Sequence, residues 1–187
     1  MITTRFLSTD EYHWYGDWLR DQDDDTKQSF FGMAVSDYFI DNLVAEFVRK
    51  KHDNFFLVAE QNGVWIGTMH IAIVNTDEVE FGIIIDIGNR NKGIANQLIN
   101  EAVIWARNRG YANLYMHCLK ENRAIQHLCE KHGLEIKKTI SGSEVDTHVK
   151  LPKANLTSIG QEYIIRNRNL YHMFLQNQTK LMKSITY

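Results

Sequence analysis

The stretch Val79 to Asn96, V-E-F-G-I-I-I-D-I-G-N-R-N-K-G-I-A-N, constrains the fold of this chain more than any other. Its first half, Glu80 to Ile85, is β-branched, aromatic and nearly uncharged, which predicts a strand buried on both faces. A short turn follows from Gly88 to Lys92, with Gly93 directly after it and two cations, Arg90 and Lys92, within it. Ala95, Leu98, Ile99, Ala102, Val103 and Ala106 then recur at the spacing of one helix face. A strand, a glycine-containing turn and a helix N-terminus together present unpaired backbone N–H groups and the positive end of a helix dipole. Such a place binds anions, phosphates above all.

Two familiar phosphate loops fail against the letters. Gly88 and Gly93 have the G-x-x-x-x-G spacing of a nucleotide P-loop, but Ile94 and Ala95 stand where that motif needs Lys and Ser or Thr. The dinucleotide fingerprint G-x-G-x-x-G is absent, since Arg90 stands two residues after Gly88. What fits is R-x-x-G-x-A, Arg90 to Ala95, directly after a strand ending at Ile85-Asp86. This resembles the [Q/R]-x-x-G-x-[G/A] loop of the GNAT superfamily, the acyl-CoA-dependent N-acetyltransferases. A second stretch, Asn122-Arg-Ala124-Ile125-x-x-Leu128-Cys129-Glu130-Lys131-x-Gly133-Leu134, is similar to that family's N-x-x-A-[IM]-x-L-Y-E-K-x-G-F signature. The resemblance runs from about Phe55 to Leu151 and weakens on either side.

It implies an α/β (α+β) fold with a mixed, mostly antiparallel seven-stranded sheet, splayed at its centre and flanked by helices. Residues 1–152 would form this domain and residues 153–187 a C-terminal helical extension. At 187 residues with 44% hydrophobic content the chain suits one domain with a sizeable core. A net charge of −2 makes no general case for nucleic acid or an anionic membrane. The N-terminus lacks an apolar h-region and no apolar run has the ~20 residues that span a bilayer, so a cytoplasmic location is expected. Cys118 and Cys129 then read as small buried hydrophobes rather than a disulfide. The histidines show no ligand spacing, and no metal is expected.

Taken in order, Ile2 to Leu7 predicts a first strand, and Ser8, Thr9 and Asp10 offer an N-cap to an aromatic helix with Tyr12, Trp14, Tyr15, Trp18 and Leu19. Asp21 to Asp25 reads as an acidic loop. Ser36 and Asp37 cap the next helix, with Phe39, Ile40, Leu43, Val44 and Phe47 at helical spacing. Phe55–Glu60 and Val64–Val74 flank Gln61-Asn62-Gly63, a strong hairpin signal. Arg109-Gly110 closes the helix after the loop, Asn113 to Cys118 is the fifth strand, and a helix from about Glu121 to His132 ends at Gly133. Leu134–Ile140 and Val145–Leu151 form a last hairpin, stopped by Pro152. From Ser158, which has capping-box spacing to Gln161, a long helix carries the apolar stripe Ile159, Tyr163, Ile164, Leu170, Tyr171, Phe174, Leu175 and Leu181. Such a stripe ordinarily packs on its own domain; a homodimer contact is the alternative.

The reaction can be argued from chemistry. An alkylammonium with a pKa of roughly 10.4 must lose a proton before it attacks a thioester, so a base is needed. Glu80 lies on the strand that leads into the phosphate loop, where burial raises a carboxylate towards usefulness. Glu78 is co-facial with it, but Glu80 is further inside the apolar run. The resemblance adds that many family enzymes, bacterial protein-lysine acetyltransferases among them, carry a catalytic glutamate at this place. It also implies that the backbone of Ile85 and Ile87 pairs with the pantetheine amides of acetyl-CoA, the cosubstrate. Arg90, Asn91, Lys92, Gly93, Ile94 and Ala95 would supply N–H groups and positive charge to the pyrophosphate, and Asn122 would hold the cofactor from the second helix, or simply cap it.

Cys129 stands where many members have a tyrosine that protonates the departing thiolate. Another hydroxyl, such as a tyrosine's, an unprotonated thiolate, or Cys129 itself as nucleophile are the alternatives. The acceptor is an amine, protein-borne or small. The acidic cluster between the first two helices would favour a cationic one, although a merely solvated loop explains it better. A non-catalytic acyl-CoA sensor or scaffold on the same fold is the rival reading.

Overall fold

The computed structural model describes residues 2–119, 137–141 and 144–185, with side chains described outside 117–148, 173 and 176–185. Strands β1 (Ile2–Phe6), β2 (Asn54–Gln61), β3 (Val64–Ile73), β4 (Glu78–Ile85), β5 (Asn113–Leu119), β6 (Lys137–Ser141) and β7 (Glu144–Lys150) form one seven-stranded sheet in the order β1-β2-β3-β4-β5-β7-β6. Every pair is antiparallel except β4–β5, which is parallel. The β2–β3 hairpin turns on Asn62 and Gly63, whose φ of 55° and 79° give the left-handed pair that matches strand twist.

Helices α1 (Tyr12–Arg20), α2 (Asp24–Phe31) and α3 (Asp37–Arg49) precede β2; α4 (Ile94–Asn108) follows β4, and α5 (Leu156–Ile185) ends the chain. One sheet face packs Phe56, Val58 and Ile84 against Tyr15 and Leu19 of α1 and Ile40 and Phe47 of α3. The other packs Leu57, Met69, Ile71, Val79 and Phe81 against Leu98, Ile99, Ala102 and Trp105 of α4. Alternation along β4 thus sends odd residues to α4 and even residues to the α1–α3 side.

Several expectations are corrected. Of the expected acidic loop, Asp21 to Asp23 do connect two helices, but Asp24 and Asp25 open α2: Asp23 Oδ1 accepts from Thr26 N at 2.8 Å as N-cap, and Asp24 and Asp25 sit in the first turn, where the helix dipole favours carboxylates. Strand β4 is not buried on both faces; Val79, Phe81 and Ile84 are buried, while Glu80, Gly82, Ile83 and Ile85 keep partial exposure. Its pairing with β5 covers only Glu78 to Glu80, so among the described residues no strand pairs with the rest of that edge.

The last helix begins at Leu156, earlier than expected, because Asn155 and Ser158 cap it reciprocally: Ser158 N donates to Asn155 Oδ1 at 2.8 Å and Asn155 N to Ser158 Oγ at 3.1 Å. It packs on the domain through polar residues. Ser158, fully buried, donates from Oγ to Asn108 Oδ1 at 2.6 Å, and Glu162 pairs with Arg109 at 3.0 Å. Asn169 Nδ2 donates to Thr4 Oγ1 at 2.9 Å, and that hydroxyl lies 2.6 Å from the carboxylate of Glu101, itself buried in α4. Of the expected apolar stripe, Ile159, Tyr163, Ile164, Leu170, Tyr171, Phe174 and Leu175 face solvent rather than the domain, and the side chain of Leu181 lies outside the described ones. The expected helix from Glu121 to His132, with Asn122 and Cys129, lies outside the described residues. Among the described residues no helix is long and apolar enough to cross a membrane.

Candidate active site

The sheet forks between β4 and β5. Glu78, Val79 and Glu80 are in register with Asn113, Leu114 and Tyr115, and there the pairing stops while both strands run on. Glu80 is therefore the last β4 residue held on both sides, by Ala72 of β3 and Tyr115 of β5. Its side chain lies on the α1–α3 face with those of Glu78 and Ile84. Glu78 stands at the β3–β4 turn, where Asn75 Nδ2 donates to its Oε2 at 3.5 Å.

Helix α2 is drawn over this fork by a missing side chain. A Cβ on Gly82 would lie 2.8 Å from the ring of Phe30, so only glycine lets Phe30 rest against β4 two residues from Glu80. His70, opposite Gly82 on β3, is not a second base. Its ring stacks on Phe56 at 4.8 Å, its Nε2 lies 2.8 Å from Asn54 Oδ1, and burial pushes its pKa down to about 4.

Beyond Ile85 the chain makes a 3₁₀ turn at Ile87–Asn89, passes Asn91 at φ 62° and reaches Gly93 at φ 81°, the N-cap of α4. Gly93 has no side chain to cap the helix, and a Cβ built there would meet nothing within 4 Å. Gly93 is exposed, so among the described residues the N-terminal end of α4 is open on that side, as an approaching phosphate requires. The two cations are turned onto the protein: Lys92 Nζ donates to Gly88 O and Asn89 Oδ1, both at 2.9 Å. Arg90 donates from Nε to Ile85 O at 3.3 Å and from Nη2 to Thr26 Oγ1 at 2.5 Å. They lend field rather than direct reach in this arrangement. Ile85 ends β4 opposite Gly67, and Ile87 is exposed on the turn rather than on the strand.

The structure so brings together Glu80, Ile85 and the loop from Arg90 to Ala95 along one strand and its continuation. Thr26, Phe30 and Tyr115, which join them, were not singled out by sequence. The spacing of Asp23 and Thr26 carried the signal for α2; nothing local in sequence ties Thr26 to Arg90.

These features suit coenzyme A: an open glycine-capped helix start for the pyrophosphate and an unpaired strand edge for an amide-bearing arm. Comparisons with known proteins agree on the fold. The GNAT domain of S. lividans PAT superposes with a TM-score of 0.68 at 19% identity, over 79% of this chain and 89% of that one. Spermidine N-acetyltransferase from Vibrio cholerae, in complex with CoA and spermine, gives 0.63 at 20% identity, over 80% and 95%. The putative acetyltransferase yncA from Salmonella typhimurium, with acetyl-CoA, gives 0.63 at 16%, over 83% and 96%. A search of curated proteins by sequence finds no match. The model of the acetyltransferase (GNAT) family matches residues 10–134, and the chain with this fork and this loop belongs to that family.

Proposed function

We propose that the protein moves an acetyl group from acetyl-CoA directly to a primary amine, with Glu80 as general base. The observation that carries this reading is the place where β4 and β5 part: pairing ends at Glu80, and the open edge of β4 leads to the uncapped start of α4. Five residue steps along the strand lead from Glu80 to Ile85, a span of roughly 17 Å. A pantetheine arm lying there as an added strand would have its diphosphate at Gly93 to Ala95 and its thioester near Glu80.

Glu80 takes a proton from the ammonium, directly or through water. The free amine then bonds to the thioester carbon as the carbon–sulfur bond breaks. Tyr115, in register with Glu80, is the hydroxyl we assign to protonate the departing sulfur; the surplus proton shed by the new amide nitrogen and the one held by Glu80 pass to water, from which Tyr115 regains its own. Arg90 and Lys92 lend positive charge to the loop, and Asn122 would add a contact from outside the described residues.

A cationic acceptor suits the acidic character of the segment from Asp21 to Asp25, where Asp24 and Asp25 are exposed. The Vibrio cholerae neighbour, named for spermidine, has the same fold and supports an amine of that class without naming it for this chain. The test is Glu80→Gln. The transferase should lose roughly 100-fold or more in kcat while its affinity for coenzyme A stays within about twofold. Unchanged thiol release would remove Glu80 from the mechanism, and no coenzyme A binding by the unaltered protein would remove the whole assignment.

A further inference from the structure

The outward face of α5 has no part in acetyl transfer. Ile159, Tyr163, Ile164, Leu170, Tyr171 and Phe174 lie on it, between 53% (Ile159) and 70% (Tyr163) exposed. At about 200 Å² for a large side chain these six offer on the order of 700 Å² of apolar surface. That exceeds the roughly 300–600 Å² patch of an ordinary monomer and approaches the roughly 800 Å² per partner of a standard interface.

Down the middle of this face run Gly160, Asn167 and Phe174, each seven residues from the next, a spacing that drifts only ~20° per step around a helix. A Cβ on Gly160 would meet nothing within 4 Å. Asn167 is exposed and donates from Nδ2 to the carbonyl of Tyr163 at 2.8 Å.

We propose that this face binds the same face of a second copy of the chain, the two helices antiparallel, with the two-fold axis at Asn167. That axis sets Phe174 of one copy onto Gly160 of the other, Tyr171 onto Tyr163 and Leu170 onto Ile164. The bulky ring enters the space left by the glycine, and the apolar side chains face one another. Asn167 meets itself, and its amide has a second hydrogen and a carbonyl oxygen for the pair, which is how a single polar residue fixes register in helix pairs. A parallel pair would instead set ring on ring and glycine on glycine. A lipid surface would strip water from Asn167 and return no partner.

Light scattering on the full chain tests this. The expected mass is twice the 21.8 kDa of one chain, and Tyr163→Glu and Phe174→Glu, each with an unchanged circular dichroism spectrum, should weaken self-association by roughly 30-fold or more. Orientation is read by single cysteines at 163 and 171 with Cys118 and Cys129 replaced by serine. Tyr163→Cys and Tyr171→Cys should cross-link when mixed and not alone. A monomer at high micromolar concentration, glutamate variants that still dimerise, or efficient self-linking of each cysteine variant would overturn the proposal. So would a monomer that floats with phosphatidylserine-containing vesicles, which would assign the face to a membrane.

Discussion

Arg90 and Thr26, 64 residues apart in the chain, are joined by a bond of 2.5 Å from guanidinium to hydroxyl. The same hydroxyl donates to Asp23 Oδ2 at 2.5 Å. Thr26 first, with Arg90 beyond it, holds the Asp23 carboxyl below the usual aspartate range. The phosphate loop and the cap of α2 are thereby one network. Replacing the hydroxyl isosterically, Thr26→Val, should destabilise the fold by about 1 kcal/mol in urea titration. With Arg90 released, the loop must be ordered by the ligand, so calorimetry should show coenzyme A binding weakened by roughly threefold to tenfold.

Gly93 gives a complementary prediction. Its φ of 81° is one that a side chain resists, though space for a Cβ exists. Gly93→Ala should cost about 1–2 kcal/mol in stability. It should weaken coenzyme A by a larger factor than that strain alone explains, because the added methyl stands where the diphosphate would approach the helix start.

The half-buried His70 makes stability depend on acid. Its pKa falls from 6.5 to about 4 in the folded state because burial disfavours the imidazolium. Between those values the unfolded chain binds the extra proton, so stability rises with pH across the window and is lost as pH falls through it. The full effect is about 3 kcal/mol. Urea midpoints of the wild type and of His70→Phe at pH 7 and pH 4.5 should differ in slope, the variant losing roughly 2 kcal/mol less on acidification.

Ser158 anchors α5 from a fully buried position. Ser158→Ala leaves Asn108 Oδ1 and Asn155 N without this partner and should cost about 1–3 kcal/mol, seen as a lower melting temperature. If the two-fold pairing of α5 holds, self-association should weaken in the same variant while coenzyme A affinity stays unchanged.

Much of this was legible in the letters. The hairpin at Asn62-Gly63, the strand from Glu80 and the helix from Ile94 follow from turn chemistry and apolar periodicity, which are local. What was missed is relational. The polar run from Asp21 to Asp25 looks like a loop until Asp23 is seen as an N-cap. Apolar faces usually turn inward, and the stripe of α5 predicts as much; instead Ser158, Glu162 and Asn169 bind the domain through partners at the end of α4 and on β1 that no window around residue 160 contains. The link from Thr26 to Arg90 is likewise invisible to any pattern of spacing.

The short parallel seam has a kinetic meaning. Strands β1 to β4 pair in register over most of their length, and β5 with β6 and β7 do the same, yet among the described residues only three strand pairings join the two groups. Such an arrangement behaves as two cooperative units with a weak hinge. Native-state amide exchange should therefore show the β5–β7 unit opening at a lower free energy than β1–β4. A ligand wedged in the fork would draw the two exchange regimes together, reporting occupancy without any turnover.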